Sequence, residues 1–133
     1  MFEKLFAKKQ APLSGAPLVR RLKTYSAQSG YVYQYCYEGR RSFQQSGESG
    51  SEFVFSLSAD RKTWQPCKVL VPDSSIAAWE AEHGRQLSET ERYAIAKMAL
   101  FQAFDERSTP ALMKADVLVR IADVEAIVET LGL

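Results

Sequence analysis

The sequence predicts an α+β fold: an antiparallel four- to five-stranded meander sheet with helices packed on one face. Three observations predict it. Apolar residues alternate with period two from about residue 18 to 71, which is the pattern of half-buried strands. The period changes after Pro72-Asp73-Ser74-Ser75. Ser88-Glu89-Thr90-Glu91 then supplies a capping box, the reciprocal side-chain and backbone pairing that opens a helix.

Residues 1–17 read as a flexible N-terminal arm and linker, and residues 18–133 as a single domain. In the arm, Phe2, Leu5 and Phe6 share one face of a short helix flanked by Lys4, Lys8 and Lys9. Two prolines and a glycine between Ala11 and Pro17 block any regular element. Leu18 to Tyr25 is a weakly patterned first strand, and Gln28-Ser29-Gly30 a turn. Tyr31 to Tyr37 alternates without a break and is rich in aromatics, which fit a pleated surface. Ser46 to Ser51, all small or polar, reads as a flexible loop. Phe53, Phe55 and Leu57 mark a strand over Glu52 to Ser58, and Ala59 to Thr63 a turn. Trp64 to Val71 follows as another strand, with Pro66 placing it at an edge, at a bulge or near its own start. Connections this short imply antiparallel neighbours.

Asp73 or Ser74 is expected to cap a helix that runs to His83, where Gly84 suits a left-handed exit. The capping box opens the main helix, about residues 89–107. Val117 to Ile121 is β-branched and alternating, hence a strand. Asp123 then caps a last helix through Leu131, closed by Gly132. One longer helix from Pro110 onward is the alternative.

Of 133 residues, 46% are apolar and 25% charged, the balance of a globular domain rather than a disordered chain. No apolar run approaches the roughly 20 residues of a transmembrane helix. The first ten residues hold no apolar stretch of signal-peptide length. Cys36 and Cys67 are too few for a secreted disulfide framework, and the chain has no asparagine to glycosylate. The expected location is cytoplasmic. Net charge is +1, but residues 1–45 carry eight basic groups against two acidic, while residues 46–133 carry nine against fourteen. Such polarity marks either a basic contact surface or two halves that attract each other, within one chain or between two.

No catalytic, metal or cofactor motif is present. One histidine and two cysteines, without CxxC or HxxxH, do not complete a zinc site. Pairing of Cys36 or Cys67 with His83 is conceivable in space, yet both thiols fall in predicted strands, where free cysteine is usually an inert apolar residue. Without a converging acid, base and nucleophile there is no reaction class to assign.

Three expectations about function remain. The first is a protein-interaction domain, most simply a homodimer. Between Tyr93 and Phe104 only Lys97 and Gln102 are polar, so the main helix is apolar nearly all round and must be covered on two sides. The C-terminal segment or a second copy would supply one cover. Val32, Cys36, Val54, Trp64 and Leu70 would leave the outer sheet face half apolar, making them interface candidates. The second expectation is single-stranded nucleic-acid binding, with Tyr31, Tyr33, Tyr35 and Tyr37 stacking bases while Arg40 and Arg41 hold phosphates. Core packing of those tyrosines is the competing explanation. The third is a ligand or enzyme pocket between sheet and helix, with polar groups from Tyr33, Tyr35 and His83.

Overall fold

A computed structural model describes residues 11–133; the helix expected of Phe2, Leu5 and Phe6 lies outside the described residues. Among the described residues the chain is α+β, with a five-stranded, mostly antiparallel mixed sheet curled into a half-barrel, and three α-helices. Strands β1 (Lys23–Ser26), β2 (Val32–Gln45), β3 (Glu48–Ser58) and β4 (Gln65–Pro72) pair antiparallel in chain order. Helices α1 (Asp73–His83) and α2 (Glu89–Glu106) follow, then a 3₁₀ turn over Pro110–Lys114. Strand β5 (Val117–Leu118) lies beside β4, and α3 (Ile121–Leu131) ends the fold.

Several expectations change. The first strand forms only from Lys23, and Leu18 and Val19 are exposed. Here a side chain fastens the chain in place of a ladder: the Arg20 guanidinium reaches the Cys36 sulfur and the Glu38 carboxylate. Ser14 makes an isolated bridge to Arg40, its N–H donating to the Arg40 carbonyl at 2.8 Å and its carbonyl accepting in return.

The stretch Ser46 to Ser51 is not a loop. Ser46 (φ 53°) and Gly47 (φ 80°) form the two-residue turn of a tight hairpin, because a left-handed pair matches the twist of the flanking strands. Gln45 therefore faces Glu48, and the small residues beyond are strand. Gly50 is small for packing rather than flexibility: a Cβ there would stand 2.3 Å from the Val71 carbonyl oxygen. Only glycine admits that approach of two backbones.

A bulge at Tyr37/Gly39 changes what faces the core. Ahead of it the odd residues of β2 point inward; one extra residue then exchanges the two faces. Arg40 pairs with Phe53 on the tyrosine side, whereas Arg41 pairs with Glu52 on the other. The nucleic-acid expectation had used both arginines beside the tyrosine face. They belong to opposite ones.

Strand β5 is shorter than expected, two residues, and it runs parallel to β4. The long excursion through α1 and α2 permits this, since a parallel neighbour needs a crossover. Asp123 does not cap α3 but sits one turn in, its carboxylate accepting the Arg120 N–H at 2.8 Å. Asp73 likewise lies in the first turn of α1 behind Pro72. The capping box at α2 forms as written: the Ser88 hydroxyl accepts from Glu91 N–H at 3.1 Å, and the Glu91 carboxylate from Ser88 N–H at 2.9 Å.

Tyr33, Tyr35, Phe55, Leu57 and Val69 meet Ile95, Leu100 and Phe104 of α2 in one core. Val124, Ile127 and Val128 of α3 belong to the same core, and α3 packs on both α1 and α2. The apolar circumference of α2 is thus enclosed by its own chain. Between Tyr93 and Phe104 only Gln102 is exposed. That helix does not require a second copy, because the C-terminal segment provides the other cover.

Candidate functional site

Beside this core the sheet and α2 diverge at the start of the helix and leave a cleft of about 390 Å³. Its apolar lining comes from Tyr35, Tyr37 and Phe53 of the sheet and Tyr93 of α2. Arg21 enters from the segment leading into β1, Lys23 from the first position of β1, and Arg40 from beyond the β2 bulge. Arg40 is braced by Glu89 at 2.6 Å. The bulge is what delivers a cation to the aromatic side of the sheet.

Tyr37 and Tyr93 rings stand 4.7 Å apart between centroids, and Tyr37 also touches Phe55 at 5.3 Å. One turn beyond Tyr93 on the same helical face stands Lys97. Its ammonium lies 6.0 Å above the Tyr35 ring and 5.7 Å above that of Phe101, attractive arrangements for a cation. Burial lowers the Lys97 pKa, and the neighbouring Lys23 ammonium lowers it further. Burial also raises the phenols of Tyr35 and Tyr93, and pushes Tyr37 up to about 12. At neutral pH these hydroxyls are therefore donors of hydrogen bonds, not bases.

Alkali should reveal this directly. Unfolded tyrosine ionises near pH 10, while the folded chain holds Tyr37 neutral until about pH 12. The raised folded pKa means stability is complete below pH 10 and is lost as pH rises from about 10 towards 12. Absorbance at 295 nm should lag free tyrosine, and the urea midpoint should fall as pH rises from about 10 towards 12. A midpoint unchanged across that window contradicts the burial.

The sequence candidates are divided by the structure. Tyr33 is fully buried, its ring stacked on Phe104 at 4.2 Å, and its hydroxyl has no hydrogen-bond partner among the described residues. Tyr35 is 5% exposed and turns its ring across Phe101. Neither offers a face to a base, so a four-tyrosine stacking platform does not exist. The competing need for a core took those rings. Tyr31 is exposed, with its ring 6.4 Å from that of Tyr33, and is not in the cleft lining. Arg41 is paired with Glu52 at 2.6 Å on the opposite side of the sheet.

The interface candidates divide as well. Val32 and Trp64 are exposed, whereas Cys36, Val54 and Leu70 are buried. Arg20, Leu22, Cys36, Ser56 and Trp64 line a second depression of about 460 Å³. At its floor the Cys36 thiol donates to Glu38 at 3.5 Å, and the Ser56 hydroxyl donates to the same carboxylate. Cys67 is 1% exposed and burial pushes its thiol up to about 12. His83 stands apart from the cleft: its ring stacks on Trp79 at 4.4 Å and its Nε2 lies 3.0 Å from the Glu125 carboxylate. Ligand atoms of Glu82, His83 and Glu125 fall within 4.8 Å of one another, all three exposed.

Sequence reasoning missed Arg21, Lys23, Tyr93 and Lys97 as site residues. Their only signal was the surplus of positive charge in the first 45 residues and one lysine interrupting an apolar helix. Comparison of the chain with known families, curated proteins and solved structures finds no significant match. Among the described residues no helix is long and apolar enough to cross a membrane.

Proposed function

We propose that this chain is a binding module whose working site is the cleft between β2 and the start of α2, and that it takes a small molecule there. One observation carries this: an aromatic-walled hollow of about 390 Å³ with convergent polar groups, within the size range of ligand sites. In this reading the helices serve as cover for one side of a four-strand meander, and the cleft is where that cover ends. Cys36 and Cys67 are both free thiols, which supports a reducing, cytoplasmic setting.

The test uses a neutral fluorescent probe, N-phenyl-1-naphthylamine, which brightens in apolar clefts. Thr90 is exposed and lines the mouth, so Thr90→Trp should obstruct entry without touching the core. Saturable binding by the natural chain, lost in Thr90→Trp at unchanged urea midpoint, is the expected result. Equal binding by both chains refutes the site.

A homodimer is the second reading, and exposed Val32 and Trp64 on the outer sheet face favour it. The partner would be another copy, drawn by the opposite charges of residues 1–45 and 46–133. Light scattering after size exclusion then shows twice the chain mass at low salt and less in high salt. A monomer mass at every salt concentration ends that reading.

A further inference from the structure

The cleft's charges point to the class of ligand, an inference that rests on the cleft being a binding site. Arg40 already has its counter-ion in Glu89. Arg21, Lys23 and Lys97 do not: among the described residues no carboxylate lies within salt-bridge reach of any of the three. Lys97 is half-buried and flanked by Lys23. Two ammonium groups held together, that of Lys97 partly out of water and that of Lys23 exposed, repel each other, and no carboxylate among the described residues offsets that repulsion.

A chain that needed only solubility would turn both amines outward. Here Lys97 is instead laid over Tyr35 and Phe101, with Tyr93 one turn before it. Arg21 and Lys23 therefore line the hollow together with Tyr37, Tyr93 and Phe53, and Lys97 stands at its border, next to Lys23 and over the Tyr35 ring. An anion at the amines would neutralise them, and a doubly charged one suits three cations better than a single carboxylate. Phosphate esters carry close to two negative charges at neutral pH and offer three acceptor oxygens. The aromatic walls match a flat ring, which stacks without demanding directional bonds.

We propose that the cleft binds a planar aromatic compound bearing a phosphate, a nucleoside monophosphate being the simplest, with the phosphate at Arg21, Lys23 and Lys97 and the ring against Tyr37 and Tyr93. The ring supplies contact area, the phosphate orientation. Tyrosine hydroxyls at the walls donate to the ring's substituents.

Calorimetric titration with adenosine 5′-monophosphate, phenyl phosphate, adenosine and inorganic phosphate tests the assignment, alongside the neutral naphthylamine probe. Both esters should bind more tightly than adenosine or phosphate alone. The double variant Arg21→Gln/Lys23→Gln changes exposed side chains only, and should weaken ester binding by at least about tenfold, the effect of losing a charged hydrogen bond. Probe binding should survive that change. Esters that bind no better than adenosine, or that ignore the double variant while the probe still binds, overturn the phosphate assignment and leave the cleft. Failure of the probe and of every ester to bind overturns both.

Discussion

Replacing Phe104 with alanine is expected to remove about 3–5 kcal/mol of folding stability, the usual cost of deleting a buried aromatic ring. Phe104 is fully buried. Its ring stacks on Tyr33 at 4.2 Å and on Tyr25 at 5.6 Å, and lies 6.5 Å from Phe101. With Phe101, which stacks on Tyr25 at 4.4 Å and meets Tyr35 at 5.5 Å, it joins α2 to the first two strands. The lost contacts cannot be remade by relaxation, because the backbone beside it is fixed from both directions. The Ser29 hydroxyl donates to the Phe104 carbonyl at 3.0 Å, and the adjacent Asp105 carboxylate accepts from Tyr25 at 2.8 Å and from Gln28 N–H at 2.9 Å. Urea unfolding followed by circular dichroism measures the loss. Should alanine leave too little folded chain, Phe104→Leu keeps most of the volume and should cost about 1–2 kcal/mol, between a volume-conserving swap and full truncation. A loss below about 1 kcal/mol for alanine, the size of an ordinary surface change, would show that the ring is not a core element.

The second large effect is expected at Arg41. Its side chain is 14% exposed and that of Glu52 is 8% exposed, with Nε 2.6 Å from the carboxylate. Arg41→Met deletes the only cation paired with Glu52 among the described residues and leaves a buried carboxylate uncompensated. That loss is worth about 3–5 kcal/mol when one partner of a buried pair is removed. The double variant Arg41→Met/Glu52→Met should recover much of it, since replacing both partners by apolar groups is often neutral. The same urea measurement on wild type, two single variants and the double variant gives the coupling. A single variant that costs less than about 1 kcal/mol would place the pair with solvated surface bridges. The contrast with Arg40 is instructive. Its partner Glu89 has a side chain that is 76% exposed, so adjacent arginines in sequence carry unequal weights in the fold.

That contrast marks where sequence reading stopped. Alternation from Tyr31 to Tyr37 identified a strand and the tyrosine face, but alternation assumes an uninterrupted ladder. One extra residue near Gly39 reverses it, and nothing local announces that reversal, because the bulge is relative to a partner strand. Ser46 to Ser51 failed for a related reason. Its small residues have the composition of a loop, yet Gly50 is small because β4 passes close behind it. The site was harder still to read. Arg21, Lys23, Tyr93 and Lys97 lie on segments about seventy residues apart in the chain, and no spacing rule joins them.

What the sequence determined alone is local. The α2 capping box, the left-handed exits at Gly84 and Gly132, and the α+β order of elements follow from hydrogen bonds and torsions within a few residues. Only the tertiary structure decided the rest: that α3 covers α2, that β5 runs parallel, that Tyr33 is core while Tyr37 and Tyr93 wall a cleft, and that Arg21 and Lys23 line that cleft with Lys97 beside Lys23. Those outcomes depend on which surfaces are brought together, and contact between distant segments is a property of the packed whole. Burial and charge proximity have no value until the chain has closed on itself.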